Sequence, residues 1–147
     1  PGSGKTHLCT AIARHRLLAG DEVRYMAWRD KVTEIKALSL DNDRRAELLQ
    51  VYKTVQILYI DDLFKIGRSA DGTATPTAAD VGIAFEILNQ RYINHLTTII
   101  STEKMPQELV EIDEATGSPI IEMAGGNVYA ISRNTSRNYR LRNMVTV

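Results

Sequence analysis

The chain opens Pro1-Gly2-Ser3-Gly4-Lys5-Thr6. Two glycines, a lysine and a hydroxyl residue in this order suit the holding of a phosphate. Glycines let successive backbone N–H groups turn inward around an anion, and a helix starting here adds the positive end of its dipole. Lys5 would reach the β- and γ-phosphates of a nucleotide, and the Thr6 hydroxyl would ligate Mg2+. The complete pattern has a further glycine five residues before Gly4. That position lies ahead of Pro1, so the chain is expected to begin inside its own phosphate-binding loop. A glycine- and serine-rich tail before a helix is the plainer alternative.

A second motif supports the first. Val55-Gln56-Ile57-Leu58-Tyr59-Ile60 reads as a buried strand that runs into Asp61-Asp62. An apolar strand ending in acids is the Walker B arrangement. Asp61 would hold Mg2+, directly or through water. Asp62 then stands where a base polarises the attacking water. Without the phosphate loop, the same letters would describe a strand ending in a solvated acidic turn.

Two further groups are less specific. Leu96 to Ser101 reads as a strand, and Ser101, Thr102 and Glu103 at its end could face the γ-phosphate or the water; plain strand-end capping explains them as well. The tail carries Arg133, Arg137, Tyr139, Arg140 and Arg142. Clustered Arg with Tyr could contact phosphates of a nucleotide or a nucleic acid. Arg140 is the better candidate, and Arg133 reads better as part of a solvated edge. His7, His15 and His95 share no ligand spacing. Cys9, Tyr25 and Trp28 read as packing residues.

Elements must carry these groups. Thr6 to Leu18 reads as a helix, stopped by Ala19-Gly20-Asp21. Glu22 to Trp28 reads as a strand. Asp30 to Leu40 is amphipathic and helical, and Asp43 to Tyr52 forms another helix with an Asx cap at residues 41–43. Lys65 to Pro76 is rich in Gly, Ser, Thr and Ala and reads as a loop. Thr77 to Asp80 resembles a capping box opening a helix to about Asn94. Pro106 suits the first position of a short helix through Val110. Asp113 to Met123 is a weaker helix, interrupted by Gly117 and Pro119. A turn at Gly125-Gly126-Asn127 precedes a final strand, Val128 to Ser132. Strands alternating with helices predict βαβ units, a mostly parallel sheet and helices on both faces.

Composition agrees with a single such domain over residues 1–147. The chain has 147 residues, 44% of them hydrophobic, and its 18 basic residues balance 18 acidic ones. That length supports one core and not two of ordinary size. A neutral balance argues against a polybasic DNA wrapper but leaves room for a local basic groove. One cysteine excludes a disulfide framework. No apolar run reaches the roughly 18 residues that span a membrane, and no secretory signal opens the chain. A cytoplasmic location is therefore expected.

Taken together, the motifs resemble the ATPase domain of bacterial and phage replicative-helicase loaders, the DnaC/DnaI group of AAA+ proteins, whose relatives include the transposition helper IstB. The resemblance covers essentially the whole chain. It rests on Gly4-Lys5-Thr6-His7-Leu8, Tyr25-Met26-Ala27-Trp28-Arg29-Asp30, Leu58-Tyr59-Ile60-Asp61-Asp62-Leu63-Phe64-Lys65 and Phe85-Glu86-Ile87-Leu88-Asn89-Gln90-Arg91-Tyr92. Ile99 to Glu103, Ile112 to Ser118 and Asn138 to Leu141 complete it. The resemblance implies a P-loop NTPase fold of AAA+ type, a three-layer α/β sandwich with a mostly parallel central sheet whose first strand is missing from the chain. It implies ATP and Mg2+ as cofactors. Gly2, Ser3, Gly4, Lys5, Thr6, His7 and Arg140 would then bind the nucleotide, and Thr6 and Asp61 the metal. Lys5, Asp62, Ser101, Thr102 and Glu103 would serve catalysis. It also implies homo-oligomers that bind single-stranded DNA and a ring helicase, the latter through an N-terminal segment absent here. The transposition helper, and a nucleotide-gated DNA-binding assembly protein with little hydrolysis, are the alternatives. Two departures stand out. Glu103 occupies a position where the family often has Asn. Pro119 stands where many relatives carry an Arg that reaches a neighbouring subunit's γ-phosphate, which implies slow or partner-dependent hydrolysis.

Overall fold

The structure is a computed structural model that describes residues 4–65 and 75–131. Its elements are α1 (Lys5–Leu18), β1 (Val23–Ala27), α2 (Trp28–Ala37), α3 (Asn42–Thr54), β2 (Ile57–Leu63), α4 (Ala78–Ile93), β3 (Thr97–Thr102), α5 (Pro106–Ile112) and α6 (Glu114–Ala124). The three strands form a parallel sheet in the order β1-β2-β3.

Local signals place most helix starts. Thr77 accepts from the Asp80 backbone N–H, and the Asp80 carboxylate accepts from that of Thr77, a reciprocal cap for α4. Asp41 caps α3 by accepting from Arg44 N–H. Pro106 takes the first position of α5, where its missing N–H costs nothing. Gly4 caps α1 at φ 89°, a left-handed conformation that glycine enters without a Cβ penalty.

Alternation along β2 divides the molecule. Leu58, Ile60 and Leu63 join Met26, Val32, Ile35, Leu49, Ile83 and Ile87 in the main core beneath α2, α3 and α4. Tyr59 and Asp61 point the other way, toward α1. The result is three layers, with α1 on one face, α2 to α4 on the other, and α6 packed on α4. The α1 layer is thin. Ala13 alone of its residues is buried, while Leu8, Ile12, Leu17 and Leu18 are exposed among the described residues.

The far end of the sheet is fastened by Arg91, which is fully buried. Its guanidinium donates to Thr98 Oγ1 at 2.9 Å and to the carbonyls of Tyr52 (2.9 Å), Val55 (2.8 Å) and Thr97 (2.6 Å). It thus joins the C-terminal end of α3 to the entry of β3. Burial pulls the group down to about 10, so it remains a cation at neutral pH.

Several expectations are revised. Trp28 begins α2 instead of ending a strand, and β2 extends through both acids to Leu63. α6 runs unbroken through Gly117 and Pro119. Gly117 is the reason that helix can lie where it does, since a Cβ there would come within 2.6 Å of Val110 N. Residues 128–131 form no strand, and Ser132 lies outside the described residues. The loop read over 65–76 lies mostly outside them too. No described helix is long and apolar enough to cross a membrane.

Candidate functional site

The site forms where the start of α1 meets the ends of β2 and β3. Thr6 Oγ1 donates to Asp61 Oδ1 at 3.1 Å, which brings together the two residues the sequence proposed as metal ligands. Three more hydroxyls converge on the same carboxylate. Ser101 Oγ donates to Oδ1 at 2.5 Å, Tyr59 OH to Oδ1 at 2.9 Å, and Tyr25 OH to Oδ2 at 3.1 Å. Burial pushes the Asp61 carboxyl up, but the hydroxyls of Ser101, Tyr59, Thr6 and Tyr25 outweigh it and hold the group below its ordinary value. It is therefore an anion at neutral pH. The same contact acts in reverse on the phenols, since burial and the Asp61 carboxylate raise both Tyr59 and Tyr25.

Asp62 is placed differently. Ile60 pairs with Ile100 but Leu63 pairs with Thr102, so β2 holds one extra residue across from β3. This bulge falls on the acidic pair. Asp62 has φ 59° and Phe64 φ 58°, conformations that cost a non-glycine residue about 1 kcal/mol or more. Asp62 N–H donates to Ser101 Oγ at 2.9 Å, so Ser101 ties together the two acids. The Asp62 carboxylate meets Lys65 Nζ at 2.6 Å, and Lys65 also lies 3.7 Å from Glu103. The hydrogen bond to Asp62 raises the Lys65 ammonium despite partial burial.

The proposed site residues therefore divide. Thr6, Asp61 and Ser101 are in direct contact, and Asp62 adjoins them through its backbone. Thr102 spends its hydroxyl on Leu63 O at 2.9 Å and on Lys104 N–H, which fixes the strand end. Glu103 lies across Lys65 from Asp62. Gly4 and Lys5 open α1, and His7 is exposed on its first turn. Gly2, Ser3 and Arg140 lie outside the described residues. Pro119 sits within α6.

Tyr25 and Tyr59 escaped the sequence reading, which took Tyr25 for sheet packing. They stand opposite each other in the β1–β2 register, with rings 5.2 Å apart and edge to face. A signal existed in β2, because Tyr59 lies two residues before Asp61 and so shares its face. Nothing in the sequence specified the register that adds Tyr25.

Thr6 and Asp61 offer a hydroxyl and a carboxylate, hard oxygen donors of the kind Mg2+ takes. They would hold such an ion by two protein oxygens, a donor set of the kind Mg2+ takes alongside phosphate and water. Among the described residues no cluster of three or more His, Cys, Asp or Glu could hold a metal, so the oxygen pair is the candidate.

Comparison with known proteins gives a family and a fold. The sequence model of the IstB-like ATP binding protein family matches residues 1–117. The uncharacterized protein YqaM of Bacillus subtilis (strain 168) is 35% identical over 144 residues, which cover 96% of this chain and 44% of YqaM. The chain thus spans less than half the length of that relative. Among solved structures, the replication initiator DnaA bound to AMPPCP and single-stranded DNA superposes with a TM-score of 0.66 at 24% identity, covering 90% of this chain and 38% of DnaA. The DnaC helicase loader superposes with a TM-score of 0.62 at 25% identity, covering 84% of this chain and 70% of the loader. The fold is that of an AAA+ P-loop NTPase.

Proposed function

This chain belongs to the IstB-like ATP-binding protein family, and on that footing we propose that it hydrolyses ATP with Mg2+ as a helicase-loader-type ATPase of DNA replication. The meeting of Thr6 with Asp61 at 3.1 Å carries the reading. It supports the reading because it brings the hydroxyl after Lys5 against the acid of β2, the two groups that would share a nucleotide's metal.

Lys5 and the N–H groups around Gly2, Ser3, Gly4 and His7 bind the phosphates. Thr6 and Asp61 hold Mg2+, which neutralises charge on the β- and γ-phosphates when bound. Tyr25, Tyr59 and Ser101 orient Asp61 and keep it ionised. Asp62 accepts the proton of the attacking water. Thr102 and Glu103 shape the rim of this site. Arg140 contacts phosphate from the tail.

The partners follow from the relatives. A DnaA neighbour was solved with single-stranded DNA, and another neighbour is a helicase loader. Our reading is a homo-oligomer that couples ATP and single-stranded DNA to loading of a ring helicase in the cytoplasm. Pro119 in place of the neighbour-reaching Arg makes its hydrolysis slow or partner-dependent. A transposition helper is the second reading, and the IstB-like family match favours it. Stimulation of hydrolysis by duplex instead of single-stranded DNA would select it.

The deciding measurement is ATP binding and hydrolysis with DNA titrated in. Lys5→Ala should abolish ATP binding. Asp62→Asn should keep binding and stop turnover. Normal ATP affinity in Lys5→Ala would refute the phosphate-loop assignment.

A further inference from the structure

We propose that Lys65 is a positioning residue that latches the Asp62 carboxylate at rest and so slows hydrolysis. The proposal builds on the reading of Asp62 as the base.

The geometry assigns Lys65 this role through two linked contacts. Lys65 N–H donates to Asp62 O at 2.9 Å, closing a turn over residues 62–65. Lys65 Nζ then reaches back to Asp62 Oδ2 at 2.6 Å. The turn is strained at two of its four residues, with Asp62 at φ 59° and Phe64 at φ 58°. A side-chain tether across it therefore opposes relaxation of the backbone that aims Asp62.

The tether also acts on chemistry. A base needs a lone pair directed at water, and an ammonium hydrogen bond occupies one. Asp61 is held differently, its oxygens accepting from the hydroxyls of Thr6, Tyr25, Tyr59 and Ser101. The two neighbouring acids are thus prepared for different work. Glu103 completes the device. At 3.7 Å from Lys65 Nζ it offers the ammonium a second carboxylate, so Lys65 can shift toward Glu103 as Asp62 turns to the nucleotide.

The side chains of Lys65 and Asp62 are 42% and 29% exposed. Water screens such a pair, and its hold on the carboxylate is a factor of about two to five. That is the size of effect expected in turnover.

The test compares kcat and KM for ATP in the protein and its Lys65→Ala, Lys65→Gln, Lys65→Arg and Asp62→Asn variants, with and without single-stranded DNA. Lys65→Ala and Lys65→Gln should each raise kcat about two- to five-fold, with KM unchanged. Lys65→Arg, which keeps a cation, should restore the parent rate. A role in folding alone would lower activity instead, so a fall in kcat in both Ala and Gln variants overturns the latch. An unchanged kcat in both, with Asp62→Asn inactive, overturns the latch and leaves Asp62 as base. Full turnover in Asp62→Asn overturns base and latch together, as does absence of hydrolysis in every variant.

Discussion

Replacing Arg91 by Met tests the strut at the far end of the sheet. The guanidinium makes four bonds of 2.6–2.9 Å, three of them to carbonyls, from a fully buried position. Hydrogen bonds to a charged group contribute about 1.5–3 kcal/mol each, so the gross loss is about 6–12 kcal/mol. Against this stands the desolvation of a cation, whose removal returns several kcal/mol. Methionine fills much of the volume but leaves the carbonyls of Tyr52, Val55 and Thr97 without their donor. Three buried acceptors left unpaired cost about 1–3 kcal/mol each, and the recovered desolvation offsets part of that, so the net cost should be about 3–5 kcal/mol. At about 2–4 °C per kcal/mol for a chain of this size, the midpoint should fall by about 6–20 °C. Arg91→Lys should recover only part, because a single ammonium cannot fork to Thr98 and three carbonyls. Urea and thermal unfolding of both variants give the numbers. A loss below about 1 kcal/mol in Arg91→Met would refute the reasoning, since it would mean that the bonds and the burial cost cancel.

Two other perturbations probe the packing. Gly117→Ala places a Cβ 2.6–2.7 Å from the backbone of Leu109 and Val110. It should separate α5 from α6 and cost about 1–3 kcal/mol, read from urea midpoints. Glu86 joins α3 to α4 through Lys53 at 2.6 Å and Arg45 at 2.9 Å. Burial raises its carboxyl, but Lys53 and Arg45 outweigh burial and depress it. A depressed acid stabilises the fold above the ordinary carboxylate value and loses that contribution as pH falls through its lowered one. Glu86→Gln should therefore weaken the acid dependence of the urea midpoint and leave its neutral-to-alkaline shape unchanged.

What could be read from the sequence was local or contiguous. Thr77 with Asp80, Asp41 and Pro106 mark helix starts because caps act within one turn. The acids of β2 and the Lys5-Thr6 pair were legible because each motif is continuous in the chain. What escaped depends on pairing across distance. Trp28 has the profile of a strand residue, yet it starts α2, because the core beneath that helix claims its ring. Val128 has a strand composition, but a strand needs a partner edge that no local pattern supplies. Arg91 was one letter in a family-like stretch. Its role follows from α3, α4 and β3 meeting at one place. Tyr25 needed the β1–β2 register, and Lys65 needed a bulge that turned Asp62 toward it.

The edge-to-face contact of Trp28 with Phe64 has an optical consequence. Trp28 is the sole tryptophan of the chain and is only 3% exposed. Its ring lies 5.5 Å from that of Phe64, which sits inside the turn between Asp62 and Lys65. The protein therefore carries a native fluorophore against the segment that aims its second acid. Rearrangement of that turn alters the indole's surroundings and its emission. Stopped-flow mixing with nucleotide would follow the movement in real time, with no label added.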